Sequence, residues 1–256
     1  MNRLKKINAI RQALDSNQPS VGSWMQIPDA SVAEIMGQSG YDWVAVDMEH
    51  GAISVHQLPD LFRALELGGT LPLVRLAHGQ RKDCKQALDA GAGGVIVPMV
   101  ETATQLIAVR DSCRWPPAGA RGVGFSRANL FGKHFETYRE EAQAPILVAM
   151  IESSRAVDCL EEILAVKGLD AILIGPYDLS ASMGLTAQFE EPTFVIAMEQ
   201  ILTLCQHKNI PCGLHVVTPE VDILRQRVTN GYRFIAYSID TVFLSTSSLA
   251  PKISNL

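Results

Sequence analysis

The chain has 256 residues, of which 47% are hydrophobic and 19% charged, and its net charge is -5. This length is typical of a single α/β barrel, so we expect one domain over residues 1–256. The negative charge gives no reason to expect a nucleic-acid partner, and charged segments interrupt every apolar stretch before it reaches the length of a membrane span, so we expect no membrane partner.

The first twenty residues predict an amphipathic helix that ends before Pro19. Its apolar residues recur at helical spacing: Leu4, Ile7, Ile10 and Leu14. The segment has no signal-peptide apolar core, which favours a cytoplasmic protein, with a transit peptide as the alternative. The five cysteines are scattered and form no CxxC motif, so reduced, mostly buried thiols are expected rather than disulfides or a zinc site.

Eight short apolar runs follow along the chain, each before a helical pattern. They cover residues 21–26, 43–49, 71–76, 93–100, 145–152, 169–176, 212–217 and 233–240. The runs are almost continuously apolar, as in parallel strands covered on both faces. Eight strand–helix units predict a (β/α)8 TIM barrel of the α/β class, preceded by the N-terminal helix. The alternative, a doubly wound sheet, usually carries a glycine-rich turn after its first strand, and none follows here.

The helical patterns between the runs include residues 54–67 and 81–90. Two connections, 101–144 and 177–211, are unusually long. Long segments of this kind in a compact domain are usually functional loops or subunit contacts, and we expect one of these roles for both.

In a barrel, the active site is built from residues at the carboxyl ends of the strands. Polar residues at the ends of the predicted strands are Gln26, Asp29, Asp47, Glu49, His50, Arg75, His78, Glu101, Glu152, Tyr177, Asp178, His215, Ser238 and Asp240. Acidic groups dominate this set, which indicates a cation at the centre of the site. No lysine is predicted to end a strand, so Schiff-base chemistry has no obvious residue.

Glu152 and Asp178 are the sharpest pair in this set because they follow neighbouring strands. Two adjacent carboxylates repel each other unless a cation lies between them, and a hard divalent ion suits such a pair. The alternative is that each residue caps a helix.

The remaining candidates leave more than one interpretation open. Arg75 could clamp a substrate carboxylate or oxyanion, or form a structural ion pair. His50 could be a structural histidine, a metal ligand or a general base oriented by Asp89. Asp47 is interpreted as a buried acid that orders the loop, whereas Glu49 receives no role.

Several motifs, in order over residues 22–240, resemble the HpcH/HpaI family of metal-dependent (class II) 2-oxo acid aldolases. They are YDWVAVDMEHG, LPLVRL, LDAGAGGVIVPMVET, RWPPAGARGVG, MIES and IGPYDLSASMG. The family includes aldolases for 4-hydroxy-2-oxoheptanedioate and 2-dehydro-3-deoxyglucarate. The resemblance implies reversible cleavage of a 4-hydroxy-2-oxo acid, of the sugar-acid or dicarboxylate type, to pyruvate and an aldehyde.

The resemblance also implies roles for individual residues. Glu152 and Asp178 would bind a divalent metal ion, Mg2+ or Mn2+, with Co2+ as a further option. Arg75 would hold the 2-oxo acid, and His50, oriented by Asp89, would activate a metal-bound water that handles the proton of the C4 hydroxyl. The backbone around the substrate-binding residues Gly175, Pro176, Tyr177 and Asp178 would receive the pyruvate carboxylate. The family exchanges its last helix between subunits, so a homo-oligomer, commonly a hexamer, is implied.

Three residues depart from the family pattern. Met150 stands where relatives often have glutamine, Tyr177 replaces a small residue, and His215 occupies a position that is frequently apolar. We expect all three to reshape the substrate pocket. The alternative functions are an oxaloacetate decarboxylase, an acyl-CoA or phosphoenolpyruvate lyase on the same barrel, and a non-catalytic 2-oxo acid binding protein.

Overall fold

The computed structural model describes residues 1–250 and contains a closed barrel of eight parallel strands in sequential order. The first and last strands pair with each other, with Val21 in register with Ile235. This closure confirms the predicted (β/α)8 barrel and excludes a doubly wound sheet, which has open edges.

All eight predicted strands are present. They are β1 (Ser20–Met25), β2 (Trp43–Asp47), β3 (Leu71–Arg75), β4 (Gly94–Val97), β5 (Ile146–Ile151), β6 (Ala171–Ile174), β7 (Cys212–Val216) and β8 (Phe234–Ile239). Every residue of the five strands from β2 to β6 is buried, because side chains point alternately into the barrel and towards the surrounding helices. Continuous burial explains why these strands are continuously apolar in sequence.

Twelve α-helices lie in the described part of the chain. They are α1 (Arg3–Asp15), α2 (Ala30–Gln38), α3 (Leu58–Leu67), α4 (Arg81–Ala90), α5 (Ala103–Cys113), α6 (Phe135–Gln143), α7 (Ser154–Asp158), α8 (Leu160–Leu164), α9 (Pro176–Ser182), α10 (Pro192–Lys208), α11 (Val221–Thr229) and α12 (Asp240–Ser247). Helix α4 has the predicted bounds, whereas α3 begins four residues later than predicted, next to Pro59, a residue suited to a first helical turn.

The two long connections contain more regular structure than their sequence suggests. Helices α5 and α6 and a 3-10 turn (Arg127–Gly132) lie within residues 101–144. Helix α10 and all of α9 except its first residue, Pro176, lie within residues 177–211. Only the segment between α5 and α6 keeps a long irregular stretch, and it carries exposed apolar side chains that are described below.

Helix α1 covers the amino-terminal end of the barrel. Its buried face, formed by Ile7, Ile10 and Leu14, belongs to the same apolar cluster as the barrel interior. Deeper in that interior, the rings of Trp43 and Phe234 stack 4.3 Å apart. The amino-terminal end is therefore filled, which leaves the carboxyl-terminal end for a binding site.

No helix among residues 1–250 is both long enough and apolar enough to cross a bilayer. All five cysteines carry free thiols, and four of them are buried, as predicted.

Candidate active site at the carboxyl-terminal end of the barrel

A cavity of about 1170 Å³ opens at the carboxyl-terminal end of the barrel. The polar side chains that line its barrel end include Gln26, His50, Arg75, Glu152, Asp178 and His215. The cavity then continues as a more apolar groove between α10 and α11. The structure thus brings together all of the predicted site residues except Asp89.

Arg75 is buried at the end of β3 and is held by Asp47 at the end of the neighbouring β2. Its Nε and Nη2 atoms donate to the two Asp47 carboxylate oxygens over 2.8 and 2.5 Å. Burial alone would raise the pKa of Asp47, but the hydrogen bonds and the charge of Arg75 lower this pKa to about 2. The pairing follows from the register, since Asp47 lies directly opposite Arg75 in the sheet.

Asp47 also orders the loop that follows its own strand. Its Oδ1 accepts hydrogen bonds from the backbone N–H groups of Glu49 and His50 over 3.0 and 3.2 Å, and its Oδ2 accepts one from the Gln26 side chain. This is the supporting role predicted for it. His50 is exposed at the mouth of the cavity, where its imidazole can reach a ligand.

Glu49, which received no role from the sequence, approaches the other edge of the Arg75 guanidinium. Its Oε2 lies 3.0 Å from Arg75 Nη1, but the N–H is not aimed at it, and this buried oxygen accepts no hydrogen bond from any residue of 1–250. Arg75 therefore makes its aligned hydrogen bonds through one edge only. The outer Nη protons of its five N–H donors stay available to an oxygen atom of a ligand.

Glu152 directly follows β5 and is a buried carboxylate without an ion-pair partner among the described residues. Its Oε2 accepts a hydrogen bond from the Met99 backbone N–H over 2.9 Å. Burial raises the pKa of Glu152 to about 7, and the negative charges of Glu49 and Asp178 add to this effect. Gly175 makes room for the carboxylate, because a Cβ atom there would lie 2.4 Å from Glu152 Oε1.

The segment Gly175–Asp178 forms the start of α9 beside Glu152. Gly175 is the N-cap residue, Pro176 begins the helix, and Asp178 lies exposed in the first turn. Tyr177 is 59% exposed and packs its ring edge-on against Phe189, 5.0 Å away. Asp178 is thus both near a helix N-terminus and close enough to Glu152 to raise the pKa of that residue.

The donor set around Glu152 fits a divalent cation. The negative charges of Glu49 and Asp178 raise the pKa of Glu152, and that of Asp178 also raises the pKa of Glu49. Glu152 is buried and Glu49 is half-buried, whereas Asp178 is exposed. Within residues 1–250, no three or more His, Cys, Asp or Glu side chains are close enough together to hold a metal ion by themselves. A pair of carboxylates with space beside it is nevertheless how proteins hold Mg2+ whose other ligands are water and substrate.

His215 lies inside the barrel on β7, and its Nε2 is 3.1 Å from the Ser238 carbonyl oxygen. The Trp24 ring lies 5.2 Å from the imidazole and 5.1 Å from the Arg75 guanidinium carbon. The sequence argument missed Trp24, although it precedes Gln26 by two residues and therefore shares its face of the strand. Met150 lines the cavity, as expected for its departure from the family pattern.

Asp89 is the one predicted site residue that lies away from this cavity. It lies at the carboxyl end of α4, the end that leads into β4, and therefore at the opposite end of the barrel from His50. Burial raises the pKa of Asp89, while the nearby charges of Arg121 and Lys85 lower it. The proposed pairing of Asp89 with His50 is not formed within one chain.

Other acidic residues from the strand ends serve the backbone. Asp29 accepts hydrogen bonds from the first turn of α2, as in an ordinary helix N-cap. Asp240 accepts hydrogen bonds from the backbone N–H groups of Gln26 and Ile27 and so ties β8 to β1. Glu101 accepts a hydrogen bond from the Ser153 hydroxyl. Their carboxylates are engaged, which leaves the group around Glu152 as the candidate cation site.

Comparison with known proteins agrees with this geometry. The family model for HpcH/HpaI aldolase/citrate lyase matches residues 20–246. Hydroxypyruvate/pyruvate aldolase from Roseobacter denitrificans is 34% identical over 241 residues, 93% of each chain. The 2-keto-3-deoxy-L-rhamnonate aldolase of Escherichia coli is also 34% identical, over 93% of this chain and 89% of its own.

One solved structure shares this fold over nearly the whole length of both chains. The HpcH/HpaI aldolase/citrate lyase family protein from Burkholderia cenocepacia superposes with a TM-score of 0.87 at 31% identity, covering 94% of this chain and 96% of its own. Family match, sequence identity and architecture agree over the same residues. The chain therefore belongs to the HpcH/HpaI aldolase/citrate lyase family.

Proposed function

We propose that this protein is a metal-dependent pyruvate aldolase that cleaves 4-hydroxy-2-oxo acids to pyruvate and an aldehyde. The observation that carries the proposal is the buried Glu152 carboxylate, which forms no ion pair with any residue of 1–250 and is influenced by the charges of Glu49, Asp178 and Arg75. The aldolase names of relatives at 34% identity support the reaction class. The sugar-acid name of one relative favours the sugar-acid type of substrate over the dicarboxylate type.

Glu152 and Asp178 would hold the divalent ion, and Mg2+, Mn2+ and Co2+ are the candidates. When bound, such an ion supplies Lewis-acid polarisation of the 2-oxo group and charge neutralisation for the enolate that forms from it. No lysine of the described chain lines the cavity, so the competing Schiff-base route has no residue there; Lys252 lies outside the described residues.

Arg75 stabilises the charge that develops on the 2-oxo oxygen. Asp47 fixes one edge of the guanidinium, so its remaining N–H donors point in a set direction and need no reorganisation during the reaction. The backbone N–H groups of Tyr177 and Asp178, in the first turn of α9, are placed to receive the substrate carboxylate, as helix N-termini commonly do. Gly175 and Pro176 offer no donor, because the Gly175 N–H donates to the Ile151 carbonyl and proline has no N–H.

His50 takes up the proton of the C4 hydroxyl, directly or through a water. The electron pair of the O–H bond then forms the aldehyde C=O bond, the C3–C4 bond breaks, and its electrons enter the pyruvate enolate beside Arg75. The enolate is finally protonated at C3. Decarboxylation of oxaloacetate gives the same enolate without removal of a hydroxyl proton, so we expect it as a side activity.

We further propose that the His50–Asp89 pair forms between two copies of the chain. Asp89 and His50 lie at opposite ends of one barrel, while the surface next to α4 is strongly apolar: Phe125 is 76% exposed and Phe131 69%. Arg127 ties this segment to the end of α4 through a hydrogen bond to the Ala90 carbonyl. Exposed aromatic side chains of this kind mark protein–protein interfaces, which supports a homo-oligomer, a hexamer as in the family.

Mixing two inactive variants tests the shared site. His50→Ala and Asp89→Ala should each be nearly inactive in cleavage, and a refolded mixture should regain activity because some sites then combine intact His50 with intact Asp89. A mixture that stays as inactive as its parents would contradict a pair formed between copies.

The function itself is tested by measuring pyruvate release from a panel of 4-hydroxy-2-oxo acids and from oxaloacetate, with each of the three metals and with EDTA. We expect metal-dependent release from at least one hydroxy acid. Release only from oxaloacetate would identify a decarboxylase, and binding without any release would identify a non-catalytic protein. Turnover that survives thorough metal removal would refute the metal-dependent mechanism.

A further inference from the structure

The pair formed by His215 and Ser238 fixes the protonation pattern of an imidazole inside the barrel. His215 Nε2 lies 3.1 Å from the carbonyl oxygen of Ser238. A carbonyl can only accept a hydrogen bond, so Nε2 carries the proton and donates it. In the neutral ring, the other nitrogen, Nδ1, is then an acceptor.

A β-bulge turns the Ser238 carbonyl towards the imidazole. Two steps along β1, from Gly22 to Trp24, correspond to three steps along β8, from Ala236 to Ile239, so β8 contains one extra residue. Ser238 has a φ of +57°, a backbone conformation that serine rarely adopts. Ser23, opposite the bulge, donates its hydroxyl to the Tyr237 carbonyl over 2.8 Å. Strained backbone held in this way is concentrated at functional sites.

The imidazole stays neutral at physiological pH. Burial and the positive charge of Arg75 lower the pKa of His215, while the bond to Ser238 opposes them, and the resulting pKa is about 4. Nδ1 has no hydrogen-bond partner among the described residues. It is also not one of the fully buried polar atoms without a partner, so it is accessible. Because His215 lines the cavity, Nδ1 is open to a ligand there.

The neighbours of His215 indicate which part of a ligand it meets. One Trp24 ring contacts both the imidazole and the Arg75 guanidinium, at 5.2 and 5.1 Å. Arg75 is assigned above to the 2-oxo oxygen on C2, and the start of α9 to the carboxylate, C1. Of the two carbons next to C2, C3 is therefore the one left for His215 to meet. The other side chains on this wall include the apolar Met150 and Leu173, which make no directed polar contact with a ligand.

We propose that His215 is a specificity-determining residue that accepts a hydrogen bond from a hydroxyl group on C3 of the 2-oxo acid. This inference rests on the proposed aldolase function. The neutral Nδ1 can accept a hydrogen bond from a hydroxyl on C3, but it forms no ion pair with a carboxylate there. A methyl group on C3 would cover Nδ1 and prevent its hydrogen bond to water. The enzyme therefore takes as its preferred nucleophile a 3-hydroxylated 2-oxo acid, of which hydroxypyruvate is the smallest, over pyruvate.

The test compares hydroxypyruvate and pyruvate as donors in aldol addition to one fixed aldehyde, such as glycolaldehyde. His215→Leu should lower the ratio of kcat/KM for hydroxypyruvate to that for pyruvate by about tenfold, the effect of one hydrogen bond. His215→Gln keeps an acceptor and should lose less. His207→Leu, the same change at an exposed position of α10, should leave the ratio as in the wild type.

The outcomes separate this inference from the proposed function. Pyruvate addition that continues in His215→Leu shows that the variant is folded, and an unchanged donor ratio would then overturn the inference alone. If kcat/KM fell equally for hydroxypyruvate and pyruvate in both His215→Leu and His215→Gln, the inference would also be overturned, because His215 would then have only a structural role. Absence of addition with either donor in the wild-type protein would instead refute the aldolase function on which the inference rests.

Discussion

Replacement of His215 by leucine should make the protein more resistant to acid. The pKa of this histidine falls from 6.5 to about 4 on folding, mainly because burial disfavours its charged form. The unfolded chain therefore binds a proton at a higher pH than the folded chain does. Stability from this group is fully present above pH 6.5 and is lost as pH falls from 6.5 towards 4.

The size of the effect follows from the same two pKa values. The whole shift corresponds to roughly 3 kcal/mol, of which about 2 kcal/mol is lost between pH 7 and pH 5. The free energy of unfolding is measured by urea denaturation at both pH values and at a fixed protein concentration. Wild type should lose about 2 kcal/mol more than His215→Leu over this interval.

The control His207→Leu changes an exposed histidine in the same way and should keep the acid sensitivity of the wild type. The reasoning would be refuted if His215→Leu and wild type lost equal stability between pH 7 and pH 5. In that case the imidazole would titrate alike in the folded and the unfolded chain.

Three further predictions concern the reaction. His50→Ala should slow aldol cleavage far more than oxaloacetate decarboxylation, because only cleavage removes a hydroxyl proton; equal losses, measured as pyruvate release, would count against His50 as the base. Arg75→Lys should reduce kcat for cleavage by about 10²–10³-fold, since an ammonium cannot keep both bonds to Asp47 and still face the substrate oxygen; a loss below tenfold would show that the fork geometry is not needed. Tyr177→Ala should change which aldehydes are accepted in the addition direction; unchanged aldehyde preferences would show that Tyr177 does not select the aldehyde.

The sequence predicts the barrel well because its signal is repeated eight times and five of the eight strands are buried at every residue. The ends of elements are less well predicted. The helix expected from residue 54 begins at Leu58, because Ser54 and Gln57 instead form a turn closed by a hydrogen bond from the Ser54 N–H to the Gln57 side chain. The two long connections also contain helices that were not predicted from the sequence, and two of these, α5 and the 17-residue α10, lack a strong apolar period.

Site residues are predictable where strand register alone decides the contact. Asp47 and Arg75 are opposite each other in neighbouring strands, and the structural ion pair that was one interpretation of Arg75 is formed; its role as a clamp on a substrate oxygen stays a prediction. The role of Glu49 depends on the path of a loop, and the bulge at Ser238 depends on pairing between the first and last strands. Neither has a local sequence signal. The pairing proposed between Asp89 and His50 depends on a second copy of the chain, which the sequence of one chain does not place.

The central claim is that the Glu152 carboxylate holds a catalytic divalent ion. The most direct measurement is a titration of the metal-free protein with Mn2+, with free Mn2+ followed by electron paramagnetic resonance, in wild type, Glu152→Gln and Glu162→Gln. Glu162 lies exposed on α8 and provides a matched control. We predict that Glu152→Gln loses both Mn2+ binding and pyruvate release while Glu162→Gln keeps both. Mn2+ binding and turnover that persist in Glu152→Gln would contradict the proposed site.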